Sequence, residues 1–199
     1  MDMQLIAHQV SKIMRHGHRS MAMGRTCRAY GLDLLDNGCY GAAFLHRKTG
    51  LVLKVSFTVS DGTMPFIAKC AEHFRKHGKA PQFCPEVYAF GRDRHRWWAW
   101  MEHVDVGYTG SDYNSRGVED AIISLMGGCR NFTSSGKVCE EHFDLGFDIH
   151  GGNYGTAKCG RHVVFDPFGS YTKLVVVPSI NTKIVPKKQH GPAQGRWAC

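Results

Sequence analysis

The sequence predicts an α+β fold of two lobes, and three observations carry that expectation. A glycine-bearing turn, Asn37-Gly38-Cys39-Tyr40-Gly41, leads towards an apolar strand, Leu51 to Phe57, whose only charge is Lys54. Far downstream, Asp148 and Asn153 share a short loop with Gly151 and Gly152, and the apolar triplet Val163-Val164-Phe165 then runs into Asp166. Between these regions lies a Gly-, Ser- and Asn-rich connection, 107–117, which marks the boundary between lobes.

Composition sets the frame for these features. A chain of 199 residues, 43% hydrophobic and 21% charged, has the make-up of a soluble globular protein with room for one core or two small lobes. No apolar run approaches the ~18 residues of a membrane span. The apolar N-terminal stretch carries Asp2, Lys12 and Arg15, which does not suit a secretory signal, so the expected location is the cytoplasm. Eight cysteines occur without a C-x-x-C pair, which argues against zinc or a disulfide framework and for free, mostly buried thiols. The twelve histidines lack metal-protease spacing and are expected at the surface. A net charge of +8 suits a nucleotide, a phosphorylated product or an acidic surface without choosing among them. The chain carries no nucleic-acid-binding motif and no internal repeat.

In chain order, Asp2 can cap a helix in which Met3, Ile6, Val10 and Ile13 recur at helical steps until Gly17. A second short helix or lead-in is expected over Arg25–Leu35, and this segment, 1–33, should brace the first lobe. That lobe spans residues 34–106. The glycine turn precedes a hairpin that turns at 46–50 and returns through Lys54. Thr63 and Pro65 open a helix with Phe66, Ile67, Cys70, Ala71 and Phe74 on one face and Gly78 as its stop. Strands follow near Phe90 and at the buried run Trp97–Met101. The second lobe, 107–177, should hold a helix over Val118–Met126, a shorter one near Lys137–Phe143, and a strand over Lys173–Val177. The tail, 178–199, has no periodicity and is expected to be partly disordered.

The chemistry these residue types suit is phosphoryl transfer. That reaction needs a carboxylate to orient the attacking hydroxyl and oxygen ligands to hold Mg²⁺ against the phosphates. Asp148 suits the first task; Asn153 and Asp166 suit the second. Lys54, beyond a glycine turn, can reach α- and β-phosphates, although a lone lysine in an apolar strand can also serve to blunt a sheet edge. The Asp-x-x-x-x-Asn spacing recurs by accident in loops; the order of all the motifs carries the reading.

Taken together, NGCYGAAF, VLKVSF, PEVYAF and FDIHGGN resemble the early serine/threonine protein kinases of short-tailed lytic bacteriophages, with a protein-kinase-like fold over about residues 34–170. The resemblance implies ATP and Mg²⁺ as cofactors. It implies that Gly38, Tyr40 and Gly41 cover the nucleotide and that Lys54 grips its phosphates. Met101 becomes the gatekeeper, with backbone groups of Glu102 and Val104 facing adenine. Asp148 and Lys54 become catalytic, and Asn153 and Asp166 hold the metal. The implied function is phosphorylation of Ser/Thr in host bacterial proteins, in the host cytoplasm, as part of host shut-off. The alternatives are a kinase-shaped, non-catalytic inhibitor of host machinery such as RNA polymerase, and a small-molecule phosphotransferase of the aminoglycoside-kinase type. The chain departs from the family at four places. Asp36 stands for the first loop glycine, and Gly146-Phe147 for a His-Arg pair. Glu72 has the distance for the helix glutamate that pairs with Lys54 but points away from the apolar face. Residues 167–199 are too few for the usual helical second half, hence the minimal second lobe.

Overall fold

A computed structural model describes residues 2–14, 21–38, 40–57, 61–93, 96–107, 115–127, 137–140 and 143–168. Two helices come first, α1 (Met3–Met14) and α2 (Met21–Tyr30), followed by strands β1 (Leu32–Asn37), β2 (Gly41–His46) and β3 (Leu51–Ser56). Helix α3 (Thr63–His77) leads to β4 (Val87–Asp93), β5 (Arg96–Met101) and β6 (Val104–Val106). Helix α4 (Ser115–Met126), β7 (Lys137–Glu140), β8 (Phe143–Gly146), β9 (Tyr154–Ala157) and β10 (His162–Val164) complete the order. The architecture is mixed α+β with antiparallel sheets.

The main sheet runs β1-β2-β3-β5-β4. Its two faces are both covered, and the run Trp97-Trp98-Ala99-Trp100-Met101 in β5 shows why. Alternate residues of a strand point to opposite faces. Trp97, Ala99 and Met101 pack with Phe66, Ile67 and Cys70 of α3, while Trp98 and Trp100 pack with Ile6 and Val10 of α1. Trp100 also donates its indole N–H to Met3 O at 2.8 Å. A strand buried on both faces reads as an apolar run, not as an alternation. Burying each large aliphatic side chain of α1 contributes about 1.5–3 kcal/mol, so the helix is part of the sheet's core. Its start is as expected: Asp2 Oδ1 accepts the N–H groups of Gln4 (3.0 Å) and Leu5 (3.2 Å). Helix α3 also keeps its expected bounds, closing where Gly78 N–H meets Phe74 O at 2.8 Å.

Several expectations need correction. The helix expected over Arg25–Leu35 starts earlier, at Met21, and stops at Tyr30. Gly31 takes the left-handed conformation (φ 64°), which ends the helix and releases Leu32–Asn37 as an edge strand. In place of the short helix expected near Lys137–Phe143 stand two antiparallel strands, with Lys137 opposite Gly146 and Glu140 opposite Phe143. So short a segment cannot repay helix nucleation, whereas strand pairing gives its backbone a partner. His46 is no surface histidine: it is buried, bonded through Nδ1 to Thr49 Oγ1 at 2.7 Å and set edge-on to Trp100. Among the described thiols, Cys70 and Cys84 are buried and free, as expected, but Cys159 is exposed. Gly17, Cys39, most of the 107–117 connection, the Lys173–Val177 strand and the tail lie outside the described residues.

Strand β6 was not foreseen. It leaves β5 after two residues and pairs with β9 in a second sheet, β10-β9-β6, with Val104 opposite Ala157. That pairing draws the segment Asn153–Asp166 up against the end of the main sheet. The loop before β4 ties the two together: Phe83 O accepts Val164 N–H (2.8 Å), and Glu86 O accepts Glu102 N–H (3.0 Å).

Candidate functional site

A cleft of about 350 Å³ opens between the main sheet and the small one. It is lined by Gly38, Tyr40 and Gly41 from the glycine turn, Lys54 from β3, Met101, Glu102 and Val104 from the crossing, and Asn153 and Asp166 from the second region. Of the site residues named from sequence, Asp148 alone is not among the lining residues. Its backbone is nonetheless fixed to the same region, because Asp148 N–H donates to Pro167 O at 2.8 Å.

Lys54 sits at the centre. Strand β3 is the middle strand of five, so the residue is not protecting a sheet edge. Its Nζ donates to Asp166 Oδ2 at 2.8 Å, with side chains 13% and 34% exposed. Asp166 stands two residues beyond β10, whose Val163 and Val164 are buried and hold it there. The other carboxylate oxygen, Oδ1, accepts the hydroxyl of Thr63, the first residue of α3. Glu72 plays no part in this cluster. It is half-exposed and 3.8 Å from Lys69, since it lies on the outer face of α3.

Two members of the cluster were missed from sequence, Asp61 and Thr63. An Asp-Gly-Thr ahead of a helix reads as an ordinary helix start, and locally it is one: Asp61 Oδ1 accepts Thr63 N–H at 3.1 Å. Only the packing of α3 against the second region brings Asp61 into the cleft lining and Thr63 onto Asp166. Asp61 is 3% exposed, and burial pushes its carboxyl up to about 6. The Lys54 charge and the Thr63 N–H oppose that rise, while the Asp166 charge adds to it.

The Asp148–Asn153 loop is built on itself. Asn153 donates its side-chain amide to Asp148 O at 2.7 Å and its backbone N–H to His150 O at 2.8 Å. The Asp148 side chain stays 55% exposed, 3.8 Å from His150 Nε2. Phe147, at the place where the resemblance expects an arginine, packs against Phe168 with ring centroids 5.1 Å apart and the rings tilted by 31°, and Phe168 meets Phe66 of α3 edge-on. An aromatic cluster thus anchors the loop to α3 where a charge was expected.

At the crossing, Glu102 N–H is spent on Glu86 O, so of that residue's backbone groups the carbonyl remains for a base edge, while Val104, also in the cleft lining, pairs with Ala157 in the small sheet. The Glu102 side chain turns away from that role. Its Oε1 accepts Glu86 N–H at 2.8 Å and Arg161 Nη2 at 2.5 Å, and burial raises its carboxyl above the usual range. In the glycine turn, a Cβ on Gly41 would fall 2.6 Å from Val55 O, so glycine there permits close approach of β2 to β3. Gly38 faces open space, and Asp36 directs Oδ1 to Asn37 N–H at 2.7 Å.

The donor set fits a magnesium nucleotide. Mg²⁺ commonly takes one or two carboxylates and completes its shell with phosphate and water oxygens, and Asp166 and Asn153 offer a carboxylate and an amide oxygen beside a cation. Among the described residues no group of three or more His, Cys, Asp or Glu forms a protein-only metal cage. A cleft of this volume is of the size that small ligands occupy.

No family model and no curated protein matches the chain. Among solved structures, the fold is similar to the crystal structure of Rad53 residues 1–466 in complex with AMP-PNP, with a TM-score of 0.35 and 17% identity. The match covers 70% of this chain and 38% of that one. No helix among the described residues is long and apolar enough to cross a membrane. A likeness of that size fixes neither family nor activity, so the functional reading rests on the cleft.

Proposed function

We propose that this chain is an ATP- and Mg²⁺-dependent phosphotransferase acting on Ser/Thr of host bacterial proteins during phage infection. The observation that carries the reading is the meeting of Lys54 and Asp166 at 2.8 Å in a cleft that Asn153 also lines, with the glycine turn above it. Mg²⁺-bound ATP supplies the transferable phosphoryl group and the charge that offsets its oxygens. Lys54 orients the phosphates, and Asp166 and Asn153 hold the metal. Glu102, through its carbonyl, and Met101, through its side chain, select the base. Asp148, whose side chain is exposed and outside the cleft lining, orients the acceptor hydroxyl and draws off its proton. The excess of basic residues favours anionic ligands and acidic partner surfaces.

The test is transfer of labelled phosphate from ATP to proteins of a bacterial lysate, by the wild type and by Asp148→Asn. Labelling of Ser/Thr that needs Mg²⁺ and vanishes in the variant supports the proposal; no labelling by the wild type would remove it. A second reading, a non-catalytic binder of host machinery such as RNA polymerase, is favoured by Glu72, which is on the wrong face of α3 to support Lys54. In that case Asp148→Asn remains fully inhibitory in cells.

A further inference from the structure

Asp61 Oδ2 is buried and has no hydrogen-bond partner, the only carboxylate oxygen of that kind among the described residues. A buried oxygen left unpaired is costly and calls for an explanation. Asp61 lines the same cleft as Lys54 and Asp166, and it lies within the influence of both charges. Asp166, by contrast, has both oxygens engaged, Oδ2 by Lys54 and Oδ1 by the Thr63 hydroxyl. Each oxygen keeps a lone pair, but a divalent cation ligated by Oδ2 repels the ammonium already there, so metal ligation at that oxygen favours displacement of Lys54. The displaced ammonium meets the phosphates on one side and needs a carboxylate to fix it from the other. Glu72 cannot serve, being exposed beside Lys69. Thr63 joins the two candidates directly, its N–H on Asp61 and its hydroxyl on Asp166.

We infer that Asp61 receives Lys54 when Asp166 turns to a magnesium nucleotide, and so acts as the positioning residue for the lysine that grips the phosphates. Asp61 holds one oxygen ready for that exchange, and the fold bears the unpaired oxygen in the meantime. The ligand's identity rests on the phosphotransferase reading above.

The experiment is calorimetric titration of the full chain with ADP, once with Mg²⁺ and once with EDTA, alongside the thermal midpoint of the ligand-free protein. The quantity read is the gain in ADP affinity that Mg²⁺ brings. Asp61→Asn should shrink that gain about tenfold while the thermal midpoint holds or rises, because a buried charge has been removed. A purely structural Asp61 would give the opposite pattern, a lower midpoint with an unchanged gain, and that result overturns the inference while leaving the phosphotransferase reading in place. A wild type with no Mg²⁺-dependent gain at all removes both. Should Asp61→Asn fail to fold, Asp61→Ser keeps an acceptor for the Thr63 N–H and carries the same expectation.

Discussion

Lys54 Nζ and Asp166 Oδ2 stand 2.8 Å apart although 112 positions separate them in the sequence. The pair pins the middle strand of the main sheet to the segment after β10, and so sets the width of the cleft. Lys54 is mostly buried, so the contact is screened less than a surface ion pair. Lys54→Ala should therefore weaken nucleotide affinity with and without Mg²⁺, by removing a charge-assisted contact to phosphate. Asp166→Ala should abolish the Mg²⁺ dependence while retaining weak nucleotide binding. Titration with a non-hydrolysable ATP analogue, with Mg²⁺ and with EDTA, distinguishes the two. Unchanged Mg²⁺-dependent binding in both variants would defeat the site assignment.

Asp148→Asn should lower turnover by about a hundred- to ten-thousand-fold, the usual contribution of a positioned acid–base group. Stability should change by less than about 0.5 kcal/mol, because the side chain is 55% exposed and it is the Asp148 carbonyl that the Asn153 amide bonds. Phosphate-transfer rates and urea unfolding measure the two effects. An unaltered rate would remove Asp148 from the chemistry.

The two glycines of the covering turn should behave differently. Gly41→Ala places a methyl 2.6 Å from Val55 O, which is backbone and cannot swing aside. A cost of about 1–3 kcal/mol and weaker nucleotide binding should result. Gly38→Ala meets nothing within 4 Å and should leave stability within about 0.5 kcal/mol of wild type. Equal tolerance of both substitutions in urea unfolding would show that β2 does not approach β3 this closely.

Arg161 joins the β9–β10 turn to the crossing through Glu102 and to the loop before β4 through Cys84 O, which accepts its Nη1 at 2.8 Å. Arg161→Ala leaves a mostly buried carboxylate with one partner fewer and should cost about 1.5–3 kcal/mol. A loss below about 0.5 kcal/mol in urea unfolding would mean the two sheets are held together by other contacts.

The buried Asp61 carboxyl gives stability a pH dependence of defined sign. Its folded value is about 6 against a reference of 3.8, so between those values the folded chain holds the proton more tightly than the unfolded one. Stability from this group therefore falls as pH rises through that window, and the full penalty, of order 3 kcal/mol, stands above about pH 6. Asp61→Asn escapes it. Measured by urea unfolding, the variant's advantage should be near zero at about pH 4 and largest near pH 7. An advantage that stays flat over that range would mean Asp61 is not buried as an acid.

What the sequence determined by itself was local or periodic. Asp2 with Met3, Ile6 and Val10 defined α1. Thr63, Pro65 and Gly78 bounded α3, and the run Trp97–Met101 was readable as a buried strand, because apolar patterning, capping and helical period act over a few residues. The candidate residues Lys54, Asn153 and Asp166 were legible from type, order and flanking glycine or apolar residues. The tertiary structure alone decided who touches whom. It showed that Asp61 and Thr63, ordinary as a helix start, share the cleft region with Lys54, and that Glu72, well spaced along the chain, faces solvent. It paired Lys137–Glu140 with Phe143–Gly146 and gave Val104–Val106 a partner in Tyr154–Ala157. These outcomes depend on strand pairing and helix docking across many intervening residues, and no local preference encodes which distant backbone or carboxylate arrives at a given side chain.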